Sequence, residues 1–470
     1  MAKDGNRLIV ALALCSLFSV TAFANPAWNP AGFWVGHLNY LDADLPVQLD
    51  IRKKTGRWEA SLDIPSLVYA DQLINMEESD AGFFTLEFPF GIGALGLRPD
   101  GARGLRGNRD SFSLALTLAV RPKTQQTEIH FGAIEPKLSG TLYLPDGDGP
   151  FPVAVLIAGS GNASRNNWSY SSWVDFYLEI GIGAFIYDRR ADDSPLPDGS
   201  VAVIDDHARD LADAIRILRS FESVDTDRIG LVGFSRGAWI AMAVNDHVPG
   251  LAFILLSSAA AATPAEQEVS SVLTGMDQDG LASTQIDAAR SYLRLYFYVA
   301  QTSKGWGLLE SAIMDGARSD WLQYVDQPKS LEDLRWWRAN MNFDAIAHLR
   351  RIQTPVLAIW GGADFITPWT EYHEKLVATL KAGGNADVTT RIFENADHRI
   401  EIGFGEGAEG NWHWFGIAPG ALDMTGEWLE RVLQKKPLIS PGNAGSNAAR
   451  GHSNRDRSRQ TSFEGEVPHK

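Results

Sequence analysis

The hydrophobic rhythm of this chain changes once, close to residue 125, and the change limits what can fold on either side of it. From Trp28 to about Arg121, apolar residues recur at every second position. The runs are Leu45, Val47, Leu49 and Ile51; Trp58, Ala60, Leu62 and Ile64; Phe84, Leu86, Phe88 and Phe90; and Phe112, Leu114, Leu116, Leu118 and Val120. A period of two places one set of side chains on one face of a pleated strand. Pro99-Asp100-Gly101 and the glycines Gly104 and Gly107 supply turns between such runs. Residues 25–125 therefore predict a small antiparallel β-barrel or sandwich with one buried face.

From Thr127 onward the pattern is one of short strand-like runs separated by helical spacing. The runs are Val153 to Ile157, Ala184 to Tyr187, Ile229 to Val232, Ala252 to Leu256, Val356 to Trp360 and Val388 to Phe393. Between the second and third, Ile204, Ala208, Leu211, Ala212, Ile215 and Leu218 fall on one helix face, with Asp205, Asp206, Arg209, Asp213 and Arg216 mostly outside it. This alternation predicts an α/β unit over 126–436, a mainly parallel sheet with helices on both faces. Residues 263–344 interrupt it with helical segments rich in aromatics, among them Tyr292, Tyr296, Phe297, Trp306, Trp321, Trp336 and Trp337. An insertion there is placed to act as a lid, and most of its aromatics are expected to pack it onto the main unit. Residues 437–470 are polar and poor in large apolar side chains, which predicts a disordered tail.

The amino terminus has Lys3 and Arg7, then an apolar stretch from Leu8 to Val20, then Ala22-Phe23-Ala24. That layout predicts a signal peptide over 1–24, cut after Ala24, and a periplasmic or secreted product. The stretch is short for a membrane anchor. Cys15 is the only cysteine and lies inside this segment, so the processed chain has no thiol for a disulfide, a metal or a covalent intermediate. A lipoprotein site at Leu12-Ala13-Leu14-Cys15 is a minor alternative, disfavoured by the bulk of Leu14. The net charge of -16 disfavours nonspecific binding to nucleic acid or anionic lipid. No later stretch is long and apolar enough to cross a bilayer, so a soluble mature protein is expected.

The chemistry is concentrated around Gly233-Phe234-Ser235-Arg236-Gly237, which follows the run Ile229 to Val232 and precedes the helix-like Ala238 to Val244. A strand, a sharp glycine-flanked turn and a helix form a nucleophile elbow, and Ser235 is the candidate nucleophile. A serine needs a base to take its proton and a carboxylate to orient that base. Reading C-terminally, Asp364 follows the run Val356 to Trp360, and His398 follows Val388 to Phe393. Both sit at strand ends, where α/β sites collect. His373 and His413 are rival histidines without that context; Asp397, the immediate neighbour of His398, is read as structural. For an oxyanion, the expected donors are the backbone amides of Arg236 and of Ser160 in Ala158-Gly159-Ser160-Gly161-Asn162, with Gly161 as the rival. Dinucleotide binding is unlikely because Gly91 to Gly93 and Gly181 to Gly183 lack the rest of the fingerprint, and scattered histidines give metal catalysis little support. No cofactor or metal is expected. Asn162-Ala163-Ser164 and Asn167-Trp168-Ser169 are glycosylation sequons that matter only in a glycosylating host.

Together these segments resemble the bacterial α/β-hydrolase esterases that carry an N-terminal β-rich domain. The resemblance rests on Gly32 to Gly36 (GFWVG), on Leu138 to Gly161, on Arg228 to Gly237 (RIGLVGFSRG), on Thr354 to Asp364 (TPVLAIWGGAD) and on Ala396-Asp397-His398. It covers about Gly32 to Leu433. It implies an α/β-hydrolase fold with a helical lid-like insertion behind a small antiparallel β domain. It also implies cofactor-free hydrolysis of small carboxylic esters, usually of short acyl chain, with Ser235, Asp364 and His398 as the triad. The chain departs from the family at Ala191-Asp192-Asp193-Ser194, where a glycine-bearing loop is common, and after Arg236, where relatives often carry a second glycine. A thioesterase or peptidase would use the same triad, and a ligand-binding envelope protein without turnover is the reading from another class.

Overall fold

The computed structural model describes residues 28–433 apart from 41–42, 65–66, 68, 80–83, 89–92, 110–111, 122, 162, 192–195 and 405–413. The expected signal peptide, Cys15, the polar tail and His413 lie outside the described residues. The alternating residues of the first unit form strands β1 (Gly32–Tyr40), β2 (Ala43–Lys54), β3 (Arg57–Ile64), β4 (Tyr69–Ile74), β5 (Met76–Glu78), β6 (Phe84–Phe88), β7 (Gly93–Asp100), β8 (Gly104–Arg109) and β9 (Phe112–Ala119). They build one antiparallel sheet in the order β4-β3-β2-β1-β9-β8-β7-β6-β5.

Register follows the apolar rows. Leu62 pairs with Leu49, Leu49 with Trp34 and Trp34 with Leu118, one row across four strands. A slip of one residue would turn that row to solvent, so the buried face specifies the pairing. The two end strands are consecutive in sequence, separated by Asn75 alone. β3 lies against β5 and β4 against β6, and the Glu87 amide donates to the Asn75 carbonyl at 2.9 Å. The sheet thus curls until its ends meet, a barrel instead of two stacked sheets.

The second unit holds β10 (Gln125–Phe131), β11 (Leu138–Leu144), β12 (Phe151–Ile157), β13 (Gly183–Tyr187), β14 (Val224–Phe234), β15 (Ile254–Ser257), β16 (Val356–Gly361) and β17 (Val388–Phe393). Their order is β10-β11-β13-β12-β14-β15-β16-β17, parallel from β13 to β17 and antiparallel at the β10–β11 end. Helices α1 (Trp168–Glu179), α2 (Ile204–Leu218) and α3 (Arg236–Val244) lie among the first strands. Strand β12 explains the layering. Val153, Val155 and Ile157 pack with α2 and α3, while Ala154 and Leu156 pack with Trp173, Phe176 and Tyr177 of α1 on the other face. A strand buried on both sides needs an unbroken apolar run, as its sequence has.

The β10–β11 hairpin has no such run, because Gln125 to Glu128 are exposed on an edge strand. The loop joining its two strands is anchored by a buried pair: Arg190 Nε donates to Asp210 Oδ2 at 2.5 Å, and Asp210 Oδ1 accepts from the Ala133 amide at 2.8 Å.

Between β15 and β16 lie α4 (Pro264–Gln278), α5 (Ser283–Thr302), α6 (Trp306–Gly316), a 3₁₀ turn (Asp320–Tyr324), α7 (Arg335–Asn340) and α8 (Ala345–Leu349). Helix α4 opens on a capping box: the Thr263 hydroxyl accepts from the Glu266 amide at 3.3 Å, and the Glu266 carboxylate accepts from the Thr263 amide at 2.9 Å. The aromatics expected to fix this insertion to the main unit pack with one another instead. Tyr292, Tyr296, Phe297 and Trp321 form a separate core with Met276, Val299 and Leu309. Helical spacing on α5 gathers Tyr292, Tyr296 and Val299 on one face, and α4, α6 and α7 pack against this helix. Helix α9 (Trp369–Ala382), a hairpin of β18 (Glu401–Phe404) and β19 (Trp414–Ile417), and α10 (Ala421–Leu433) complete the unit.

Candidate active site

The elbow is built from close backbone approach. A Cβ on Gly237 would stand 2.1 Å from the Ile157 carbonyl oxygen, and one on Gly233 would stand 2.5 Å from the Gly237 carbonyl oxygen. Only glycine leaves room for β14 to turn straight into α3 beside β12. Ser235 sits at the turn with φ of 53° and ψ of -119°, backbone angles that a non-glycine residue rarely holds. Its amide donates to the Ser257 carbonyl at 2.9 Å, tying the turn to the end of β15.

Two further strand ends bring the other side chains to it. His398 Nε2 lies 2.8 Å from Ser235 Oγ, and His398 Nδ1 lies 2.9 Å from Asp364 Oδ2. Asp364 is 3% exposed. Its Oδ1 accepts from the amides of Ile366 and Thr367, each at 2.9 Å, and its Oδ2 accepts from the Thr367 hydroxyl at 2.6 Å. Burial pushes the Asp364 carboxyl up, but the bond and charge of His398 and the two Thr367 donors outweigh it, leaving the group below its ordinary value. The histidine loop is pinned from the opposite side, where Ser258 Oγ donates to the His398 carbonyl at 2.8 Å.

Asp397 is used by its own turn. Its Oδ1 accepts from the amides of Arg399 at 2.8 Å and Glu401 at 3.0 Å. His373 lies elsewhere on α9, with Nε2 at 2.9 Å from Thr390 Oγ1. Neither reaches the serine.

A cavity of about 140 Å³ opens over Ser235, and Ser160, Arg236, Trp239, Glu268, Trp336 and Trp337 are among the residues that line it. In the loop after β12 the Gly159 amide donates to Tyr170 Oη at 3.0 Å, and the next residue, Ser160, lines the cavity. Gly161 is exposed and does not line the cavity. Among the described residues no group of three or more His, Cys, Asp or Glu side chains is arranged to hold a metal.

The profile of the alpha/beta hydrolase family matches residues 154–406, more than half of the chain. The chain belongs to the alpha/beta hydrolase family. Over 274 residues this hydrolase is 23% identical to the esterase EstD of Thermotoga maritima, a match that covers 57% of the chain and 59% of EstD. The chain thus spans about three fifths of that relative's length. Similar solved structures include the Pyrococcus furiosus esterase Pf2001, at 15% identity over 66% of this chain and 90% of that one with a TM-score of 0.40. Another is carboxyl esterase 2 of the fungus Tuber melanosporum, at 14% identity over 67% and 87% with a TM-score of 0.40.

Several residues of the hydrolase's site carry no flag in the sequence. Thr367 stands three positions after Asp364, a spacing at which a threonine commonly bonds back to an aspartate, and that is the one signal available for it. Ser258, Tyr170 and Glu268 reach the site only through tertiary approach, which no local pattern records.

Proposed function

We propose that this chain is an exported serine hydrolase that cleaves carboxylic esters of short acyl chain through an acyl-enzyme. The observation that carries the reading is the continuous relay in which one imidazole bonds Ser235 through Nε2 and the buried Asp364 through Nδ1. Support also comes from the family and from a relative whose name is that of an esterase.

In this reading His398 takes the Ser235 proton as Oγ attacks the ester carbonyl, and Asp364 holds the ring in the required tautomer and stabilises the imidazolium. The amides of Ser160 and Arg236 receive the oxyanion, where developing charge is best met by fixed donors. Collapse of the tetrahedral adduct expels the alcohol, which takes the proton from His398. Water then attacks the acyl carbonyl as His398 takes its proton, and collapse of this second adduct breaks the bond to Ser235 Oγ, which recovers the proton from His398 as the acid leaves. The small cavity favours short acyl groups. Export rests on the layout of residues 1–24 and places the enzyme in the periplasm or outside the cell.

Hydrolysis of aryl esters from acetyl to long acyl, by the mature protein beside Ser235→Ala, tests this. Turnover should fall by at least about 10⁴-fold in the variant, with an unchanged circular dichroism spectrum and melting temperature. Retained turnover in a clean preparation would sink the assignment. Turnover of matched thioesters or amides but not esters would move the chain to another acyl-transfer class.

A further inference from the structure

One wall of the cavity carries a carboxylate that ester hydrolysis does not require. Glu268 projects from α4 into the space that Ser235 also lines, and among the described residues its carboxylate makes no hydrogen bond or ion pair. Its neighbour Gln267 is committed, with Nε2 donating to the Ile366 carbonyl at 2.6 Å. The surrounding rings are fixed. Trp239 Nε1 donates to the Ala260 carbonyl at 2.9 Å, and Trp337 makes T-shaped contacts with Trp336 and Phe297 at centroid distances of 5.0 and 5.1 Å.

The charges around Glu268 do not balance. Arg236 faces it from α3, with the guanidinium 4.2 Å above the Trp336 ring, and Asp326 faces it from beyond α5, holding the Tyr296 hydroxyl at 2.8 Å. Among the described residues two carboxylates, Glu268 and Asp326, thus stand with one guanidinium, which has a further partner of its own. Burial pushes Glu268 up, Asp326 adds to the shift and Arg236 works against it. An incoming cation would relieve this imbalance, whereas an incoming carboxylate would aggravate it. Arg236 over Trp336 shows that one indole face at this cavity already holds a cation, the contact that a ligand ammonium could make with a neighbouring ring.

We propose that the cavity selects esters bearing a compact ammonium group, held between the Glu268 carboxylate and the rings of Trp239 and Trp337. The proposal rests on the serine-esterase reading, and it assigns to the insertion the choice of substrate charge. A volume of about 140 Å³ has room for a small ammonium head.

The test compares two acetate esters of nearly equal shape, acetylcholine and 3,3-dimethylbutyl acetate, at pH 8 with the wild type and Glu268→Gln. The wild type should prefer the cationic ester by about tenfold or more in kcat/KM. The variant should bring the ratio close to one while keeping kcat/KM on the neutral ester within about threefold, which also shows that it is folded. A wild-type ratio near or below one, or a ratio that survives the substitution, overturns the proposal. Absence of turnover on both esters contradicts the esterase reading instead. Charge selection is then decided by tetramethylammonium: saturable quenching of tryptophan fluorescence that Glu268→Gln abolishes upholds it, and no saturable quenching overturns it.

Discussion

Asp364 shows how a single side chain is held ready. Four hydrogen bonds converge on its two oxygens in a site almost closed to water, and they keep the carboxylate charged despite burial. An acid with a lowered folded pKa contributes stability that is fully present above its unfolded value and is lost as pH falls through the lowered one. Between pH 6 and 8 Asp364 therefore stays ionised, and its contribution to orienting His398 is constant. Replacing it by asparagine keeps the shape but offers the ring the wrong tautomer. Asp364→Asn should lower kcat by about 10³- to 10⁴-fold at pH 8, and lower the melting temperature there as well, because the stability contributed by the ionised carboxylate is lost. A loss of less than tenfold in steady-state assays would deny Asp364 the orienting role. The positions of Ser235, Asp364 and His398 are legible because each follows a strand-like run, so the residue's place at the carboxyl end of a strand can be read from the run before it. Ser258, which holds the histidine loop, follows from the fold and from no pattern of its own, and Thr367, which holds the acid, is marked only by its place three residues after Asp364.

At the scale of elements, the β18–β19 hairpin that follows His398 introduces a second buried carboxyl. Glu401 is 5% exposed, and burial lifts it to about 7 from an ordinary 4.5, with Arg399 opposing and Asp397 adding to the rise. For an acid whose pKa is raised on folding, the native state binds the proton more tightly. Stability therefore falls as pH rises from about 4.5 to 7, and the full penalty is present above that. Glu401→Gln should be more stable than the wild type at pH 8 by roughly 2 kcal/mol, with the difference closing near pH 5. Melting curves against pH check this; a variant less stable at pH 8 would mean that the ion pair with Arg399, at 3.1 Å, outweighs burial. Strand β10 is not readable from an apolar run, because this edge strand exposes nearly all of its first side chains. The strands from β12 to β16 are readable for the opposite reason, since burial on both faces demands continuous apolar sequence.

The whole molecule joins a barrel to a hydrolase unit whose site is assembled from distant parts of the chain. Helix α1 lies against β4, and Gln48 Nε2 of β2 donates to Glu179 Oε1 at the end of α1 at 2.6 Å. Period-two alternation specifies antiparallel strands with one wet face, but it serves a barrel and a sandwich equally. The choice depends on whether β4 and β5 meet, a closure decided by curvature over the entire sheet. The insertion's helices are likewise visible as helices, whereas their packing upon one another is a matter of which faces meet. Ser235 comes from β14 and α3, Asp364 follows β16, His398 follows β17, and Glu268 and Trp336 come from the insertion. Only the folded whole unites them. The reactivity of Ser235 therefore reports the account's central claim directly. Native protein treated with a fluorophosphonate, digested and mapped by mass spectrometry should carry one adduct, on the peptide containing Ser235, and the denatured chain should carry none. An unlabelled Ser235 in the native protein, or labelling that survives unfolding, would contradict the account.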